Sequence, residues 1–431
     1  MELSLAEQFA LNPELLKDFS EFEKNQLKYS YDFWARPKQL EPKDYFTWLI
    51  MSGRGFGKTW IGSQWVLKKA KQFPGCHIGL IGDSAADVRD IQIEKGSSSI
   101  LKIASPDFYP NYEPSKRSLT FPNGSIATAY SADKPDLLRG PNHHFVWVDE
   151  LAKFHDPYEV YDMIMFGLRL GDNPQLLITT TPKPLQLLKD IIADKSTVLT
   201  TGSTYENKSN LAGSFLDIVK QKYENSDLGQ QELYGILLDE SEGALFTRKQ
   251  IEETRTSIPE QFDRIVIGVD VAVTVEDSSD ETGIIVAGRK GSEGYILEDL
   301  SGKISPSEMA DRVLRAYHKY DADLIALEAN NGGDFLVETL RLVEKQKDLM
   351  PVHIKKVWAS KSKKIRASVI QPLYQQNRIH HCSVFKKLED QMCTWIPGEV
   401  KSPDRLDSLV WSLTELFIKA FETQTYNNSL W

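Results

Sequence analysis

Residues 48–59, Trp-Leu-Ile-Met-Ser-Gly-Arg-Gly-Phe-Gly-Lys-Thr, run an apolar strand straight into a glycine-rich loop closed by Gly57-Lys58-Thr59. Few segments constrain a fold as tightly. Gly53, Gly55 and Gly57 let backbone N–H groups curl around phosphate oxygens, Lys58 brings a point charge to the β/γ-phosphates, and the Thr59 hydroxyl is placed to ligate Mg2+. The stretch from Ile61 to Lys71 has helical character, so its N-terminal dipole faces the same anion. Ser52 stands where the pattern G-x-x-x-x-G-K-[ST] has its first Gly, and a small residue keeps the loop feasible. The expected cradle for ATP therefore comprises Ser52, Gly53, Arg54, Gly55, Phe56, Gly57, Lys58 and Thr59.

A second apolar strand, Phe145-Val146-Trp147-Val148, ends in Asp149-Glu150. Strand ends are where open α/β sheets bind ligands. Asp149 suits a hold on Mg2+, and Glu150 suits polarising an attacking water. These features predict an α/β domain of the P-loop (ASCE-type) NTPase class. A third strand, Leu176 to Thr181 before Pro182, ends in hydroxyls that are placed to sense the γ-phosphate or the attacking water.

The far half carries separate chemistry. Arg264 to Asp270 is an apolar strand ending in an acid, followed by two strands around Thr282–Arg289 and Gly294–Ser301. Ser305-Pro306 opens a helix reaching Tyr320, as cap and first helical residue. Leu324 to Glu328 repeats the strand-then-acid theme, and Asp404 to Trp411 opens an amphipathic helix. Three strands, helix, strand, helix, strand, helix is the order of the ribonuclease-H-like fold. Nucleases of that fold bring together acids from the first strand, the fourth strand and the last helix, the places held here by Asp270, Glu328 and Asp407. Converging carboxylates ionise together only when cations neutralise them, which implies two Mg2+ or Mn2+ ions on this trio.

Read together, the two halves make the chain resemble the large subunit of the tailed-bacteriophage terminase, the motor that packages DNA into capsids. The resemblance is carried by Arg36-Pro37-Lys38-Gln39, Gly53 to Thr59, Leu138-Arg139-Gly140 ahead of Val146 to Glu150, and Thr179 to Pro182 as a coupling motif. Gln231 to Gly235, Asp280 to Gly283, Glu328 to Asp334 and Asp404 to Trp411 follow in order. Val271 replaces the Pro that the family usually shows after the first nuclease acid. The resemblance implies that Gln39 and Arg36 contact adenine. It makes Arg139 an arginine finger reaching a neighbouring subunit's ATP, with Arg54 as its rival acting in cis. It further implies double-stranded DNA, a portal protein of the procapsid and a small terminase subunit as partners. A homo-oligomeric ring when docked, and a place in the cytoplasm of the infected bacterial host rather than in the mature virion, follow from the same likeness.

Composition is consistent with this and less specific. With 431 residues the chain can bury two cores, and no apolar run approaches transmembrane length. The N-terminus lacks a signal pattern, and three cysteines make no disulfide framework, so a reducing cytoplasm is expected. His380-His381-Cys382 with Cys393 fits no standard zinc spacing. The net charge of −10 argues against a DNA-coating protein, yet Leu349 to Leu388 contains no Asp or Glu. Within that stretch Lys361, Lys363, Lys364 and Arg366 are the expected phosphate-backbone contacts.

The expected organisation is an N-terminal helical segment over 1–35, an ATPase domain over 36–239 with a helical lid from about 205, a linker over 240–262, and the nuclease over 263–431. Two other readings share these features. One is a different P-loop translocase or helicase with a non-catalytic ribonuclease-H-like appendage; Asp270, Glu328 and Asp407 together argue against it. The other is a DNA-tethering protein with ATP as a folding ligand, and Glu150 argues against that, since a binding-only site needs no water-activating acid.

Overall fold

The computed structural model describes residues 3–418 apart from 18, 224–225, 240–242, 272–280, 330–332, 359–362 and 397–402. The chain divides into two compact units, Met1–Leu238 and Asp239–Trp431.

The first unit is built on an eight-stranded sheet among the described residues. Its strands are β1 (Thr47–Ser52), β2 (His77–Gly82), β3 (Asn111–Glu113), β4 (Ser118–Thr120), β5 (Ile126–Ser131), β6 (Phe145–Asp149), β7 (Gln175–Thr180) and β8 (Thr197–Gly202). They lie in the order β3-β4-β5-β2-β6-β7-β1-β8, parallel from β5 to β8 and antiparallel across β3, β4 and β5. Sequences such as Thr-Trp-Leu-Ile-Met-Ser and Phe-Val-Trp-Val-Asp are near-continuous apolar runs rather than alternating ones, because these parallel strands are covered on both faces. One core holds Trp48, Ile50, Trp65 and Trp147; the other holds Leu49, Met51, Val148 and Ile178. Odd and even residues of one strand thus feed opposite layers. The parallel strands bring Ser52, Asp149 and Thr180 to the same edge of the sheet, with Met51 opposite Thr180 and Asp149 opposite Thr179.

The N-terminal stretch folds as short helices, Leu5–Leu11, Glu21–Leu27 and Tyr31–Trp34. The first two open with Ser-x-x-Glu capping boxes from Ser4 and Ser20. The expected lid comprises a 3-10 segment Thr204–Asn210 and helices Gly213–Tyr223 and Asp227–Glu232.

The second unit carries β9 (Arg264–Asp270), β10 (Gly283–Lys290), β11 (Glu293–Asp299), β12 (Leu324–Glu328), β13 (Ile354–Val357) and β14 (Ile379–His381). Their order is β13-β12-β9-β10-β11-β14, with an antiparallel β9–β10–β11 meander and β12 and β13 added parallel to β9. This is the ribonuclease-H-like arrangement, with β14 as an extra edge strand. Helix Pro306–Tyr320 starts where the sequence predicts: Ser305 caps it by accepting from the Glu308 amide, and Pro306 is the first helical residue. Residues that the sequence assigns to a linker join this unit's core, since Phe246 and Ile251 are fully buried in it. The short helix Arg248–Glu253 presents Ile251 inward, and Arg248 is buried against Asp390. So few apolar residues leave too little periodic signal to separate a core helix from a tether.

Candidate active sites

The glycine loop of the first unit is held from outside by its carbonyls. Arg36 and Gln39 both donate to the Phe56 carbonyl, at 2.7 and 3.0 Å. Asn207 donates to the Gly55 carbonyl at 2.6 Å, and the Thr204 hydroxyl to the Arg54 carbonyl at 2.6 Å. The carbonyls of Arg54, Gly55 and Phe56 are thus held from outside while the Phe56 amide turns back to the Gly53 carbonyl at 3.4 Å, a tight curl of the kind an anion nest uses. Gly57 takes φ 107° before the helix Lys58–Gln72, a backbone setting that L side chains rarely adopt; a Cβ there would also come within 2.8 Å of Gln39 Nε2. The loop borders a cleft of about 1170 Å³ that Thr59, Lys58, Glu150, Thr181, Arg36 and Gln39 also line. Sequence reasoning gave Arg36 and Gln39 to adenine; they do border the cleft, and the donors described above grip the loop itself. Asn207 and Thr204 were missed, since nothing in their local sequence distinguishes them from ordinary turn residues.

Lys58 is buried at the cleft floor, with Nζ 2.9 Å from the Ser52 carbonyl, 3.2 Å from Thr181 Oγ1 and 3.6 Å from Glu150 Oε1. Glu150 adopts φ 58°, ψ 49°, a left-handed conformation costing a non-glycine residue about 1–3 kcal/mol and typical of functional positions. Its amide donates to the Thr179 carbonyl at 2.7 Å, and its carboxylate accepts from the Thr181 amide at 3.0 Å. The strained turn thus aims the carboxylate across β7 into the cleft. Asp149 is buried one residue earlier. Burial pushes its carboxyl up to about 6, against the pull of the Thr179 hydroxyl, which donates to it at 2.6 Å. Such a carboxyl gains from a dication nearby, and together with the Thr59 hydroxyl it offers the hard oxygen donors that suit Mg2+.

The two arginines lie differently. Arg54 borders the nucleotide cleft and pairs with Glu232 at 2.5 Å. Arg139 lies on a separate cleft of about 310 Å³ with Met163, Phe166 and Arg169, mostly exposed and 3.3 Å from Asp136.

In the second unit, β12 lies beside β9 with Leu327 opposite Val269, so Glu328 and Asp270 follow at neighbouring strand ends. Helix Asp404–Leu413 crosses β9 and β10 at very close range. A Cβ on Gly268 would lie 2.1 Å from the Ser408 carbonyl, and one on Gly283 2.1 Å from that of Asp404. Glycine at these two positions lets the helix backbone that carries Asp407 settle onto the sheet. Asp270 and Asp407 are buried, and Trp411, one turn after Asp407, donates its indole N–H to Glu328 at 2.6 Å. The three acids offer carboxylate oxygens that suit Mg2+ or Mn2+. Even so, among the described residues no group of three His, Cys, Asp or Glu side chains is drawn together closely enough to hold a metal ion.

Arg405, also on this helix, is buried between Glu281 (2.9 Å, two bonds) and Asp299 (2.6 Å). Burial opposes its charge, and the two acids outweigh that, holding its pKa above the usual value. This clasp fixes the helix start to the segment entering β10 and to the end of β11; Glu281 was legible only as part of a motif and Asp299 not at all.

Of the expected DNA contacts, Lys361 lies outside the described residues, as do Asp280 and 330–332 of the quoted motifs; for Lys363, Lys364 and Arg366 only the helical backbone, Lys363–Gln375, is described. Elsewhere in the acid-free stretch, basic side chains find acids from other elements. Lys355 pairs with Glu415 at 2.7 Å, Lys356 with Asp334, and His380 lies 3.1 Å from Glu293. The His-His-Cys run is structural. His381 is buried between the Tyr374 hydroxyl (3.0 Å) and Glu389 (3.0 Å), and Cys76, Cys382 and Cys393 are free thiols. Among the described residues no helix is long and apolar enough to cross a membrane.

A glycine-loop nucleotide site on one α/β unit and an acid-tipped ribonuclease-H-like sheet on another define a two-part ATPase–nuclease. Two family models match the sequence: "Terminase large subunit, T4likevirus-type, N-terminal" over residues 49–253, and "Terminase RNaseH-like domain" over residues 267–416. The chain belongs to the terminase large-subunit family. Among solved structures it is similar to the large terminase of bacteriophage HK97, at 13% identity and TM-score 0.46 over 92% of this chain and 95% of that one. It is similar also to the large terminase of a thermophilic bacteriophage in complex with ADP, at 13% identity and TM-score 0.43 over 92% and 99%. The human cytomegalovirus terminase nuclease domain, Mn-soaked and inhibitor-bound, matches 39% of this chain and 93% of its own at 12% identity and TM-score 0.31. No curated protein matches this sequence.

Proposed function

We propose that the chain drives double-stranded viral DNA into a procapsid with ATP and cuts the concatemer with its second unit. The observation that carries this reading is the strained Glu150, aimed by Thr181 beside Lys58, on a chain whose second unit sets Asp270, Glu328 and Asp407 on adjoining elements. Lys58 and the loop amides hold the β/γ-phosphates, with Thr59 and Asp149 on Mg2+. Glu150 takes a proton from the attacking water as general base. Arg139 completes a neighbouring subunit's site, and Arg36 and Gln39 fix the loop beside adenine. Asp270, Glu328 and Asp407 would be the residues to hold two Mg2+ or Mn2+ ions, which would supply charge neutralisation for phosphodiester hydrolysis. Lys361, Lys363, Lys364 and Arg366 track the DNA backbone. The ATPase domain runs 36–239, and the nuclease of 263–431 takes Phe246 and Ile251 of the preceding segment into its core; the working form is a ring on the portal protein, fed by a small subunit in the cytoplasm of the infected bacterial host.

The test is purified chain with plasmid DNA and Mn2+, alongside Asp270→Ala, Glu328→Ala and Asp407→Ala, with ATP hydrolysis measured in parallel. Cleavage abolished in all three variants while ATP turnover persists is the expected outcome. Plasmid left intact by the unaltered chain under every divalent cation would overturn the nuclease half.

A further inference from the structure

Immediately past β7 the chain reads Thr181-Pro182-Lys183-Pro184. Two prolines fix the backbone on either side of Lys183, and the residue before a proline is held extended, so this side chain leaves a stiff stretch of chain. Lys183 borders the same cleft as Lys58, Glu150 and Thr181. It enters at the hydrolytic end, two residues from the Thr181 amide that holds the Glu150 carboxylate.

The acids around it are already engaged. Glu150 faces Lys58 at 3.6 Å, Glu232 takes Arg54 at 2.5 Å, and Asp83 takes Lys153 at 3.0 Å. Lys183 makes no side-chain hydrogen bond or ion pair among the described residues. It is open to the cleft, yet the crowding walls lower its pKa although Glu150, Glu232 and Asp83 pull the other way. An unmatched ammonium beside a phosphate cradle and a water-activating acid has one obvious counter-charge.

We propose that Lys183 binds the terminal phosphate of the nucleoside triphosphate, so that the segment after β7 distinguishes triphosphate from diphosphate. The proposal rests on the nucleotide-site reading above and adds a residue to it. Lys58, at the floor of the loop, serves both nucleotides; Lys183, beyond Thr181, meets only the γ-phosphate. Its hold on that group ties the nucleotide state to the segment entering helix Gln186–Ala193.

The experiment is equilibrium binding of ATPγS and ADP, each with Mg2+, to the full chain and to Lys183→Met, Lys183→Arg and Lys58→Ala, with kcat and KM for ATP. Removing a charge-assisted hydrogen bond to a phosphate corresponds to roughly 10- to 100-fold in affinity. Lys183→Met is expected to weaken ATPγS by that factor, leave ADP within about twofold by the same reasoning, and lower kcat, with Lys183→Arg restoring much of the discrimination. Unchanged ADP binding also shows that the variant is folded. If Lys183→Met binds both nucleotides as the unaltered chain does, or weakens both equally, the proposal is wrong while the nucleotide site stands. If the unaltered chain binds neither nucleotide, or Lys58→Ala binds both normally, the site reading itself fails and the proposal with it.

Discussion

The Trp411 indole donates its N–H to the Glu328 carboxylate across 2.6 Å, joining the tip of β12 to the helix that carries Asp407. Trp411 lies four residues after Asp407, so both project from one face of that helix, and the bond orients one acid by the element bearing another. Trp411→Phe keeps the ring and removes the donor. Partners that orient metal-binding carboxylates are worth about 10–100-fold in metal affinity or activity. The expected outcome is DNA cleavage lowered by about that factor, with more Mn2+ needed for half-maximal rate and ATP turnover unchanged. Cleavage at full rate and unaltered Mn2+ dependence would show that the bond does not serve the site.

In the first unit, Glu150→Gln retains shape and removes the carboxylate that the proposed mechanism uses as base. ATP binding should persist while turnover falls by about 10²–10⁴, the usual worth of general-base catalysis. Lys58→Ala removes the buried charge at the cleft floor and should weaken ATP binding as well. Isothermal titration with ATPγS beside steady-state hydrolysis separates the two, and near-normal turnover by Glu150→Gln would remove it from the mechanism.

Arg139 lies on a different cleft from the nucleotide loop, whereas Arg54 borders it. A finger acting from the neighbouring subunit should make ATP turnover rise with protein concentration. Mixing Arg139→Ala with Lys58→Ala chains should restore activity at interfaces where each supplies what the other lacks; fingers contribute roughly 10³–10⁵ in rate. If turnover is independent of concentration and Arg139→Ala is normal, the cis arginine, Arg54, takes the role.

The second unit should unfold in acid through Glu389 and His381. Burial raises the Glu389 carboxyl, but hydrogen bonds from His381 and Arg255 more than offset that and leave it at about 2, from 4.5. Burial holds the His381 imidazole below its usual range. Both groups bind protons more weakly folded than unfolded, so stability is present at neutral pH and lost as pH falls. The His381 share begins to go below about 6.5, by the ordinary imidazole range, and the Glu389 share between 4.5 and about 2. Glu389→Gln should be less stable at pH 7, with the gap to the unaltered chain closing towards pH 2; denaturant midpoints of the second unit across pH measure it, and a constant gap would contradict this account.

The sequence alone determined the two-part design, because its signals are local and chemical. An apolar strand followed by Gly-x-Gly-x-Gly-Lys-Thr admits few uses, and strands ending in Asp149, Asp270 and Glu328 announce themselves through hydrophobicity broken by charge. Helix Pro306–Tyr320 was legible from its Ser-Pro start for the same reason. What only the tertiary structure decided is which residues from distant segments serve these signals. Asn207 and Thr204 grip the loop from more than 140 positions away, Trp411 steers Glu328, and Arg405 clasps Glu281 and Asp299. Along the chain Leu349 to Leu388 holds no acid, whereas in the fold Glu415 and Asp334 meet Lys355 and Lys356, and Glu293 lies beside His380. Phe246 and Ile251 became core because a sheet face elsewhere in the second unit was there to cover. Patterns along a chain report what each residue can do; hydrogen bonds and ion pairs over long separations depend on where folding carries its partner, and no local pattern encodes that.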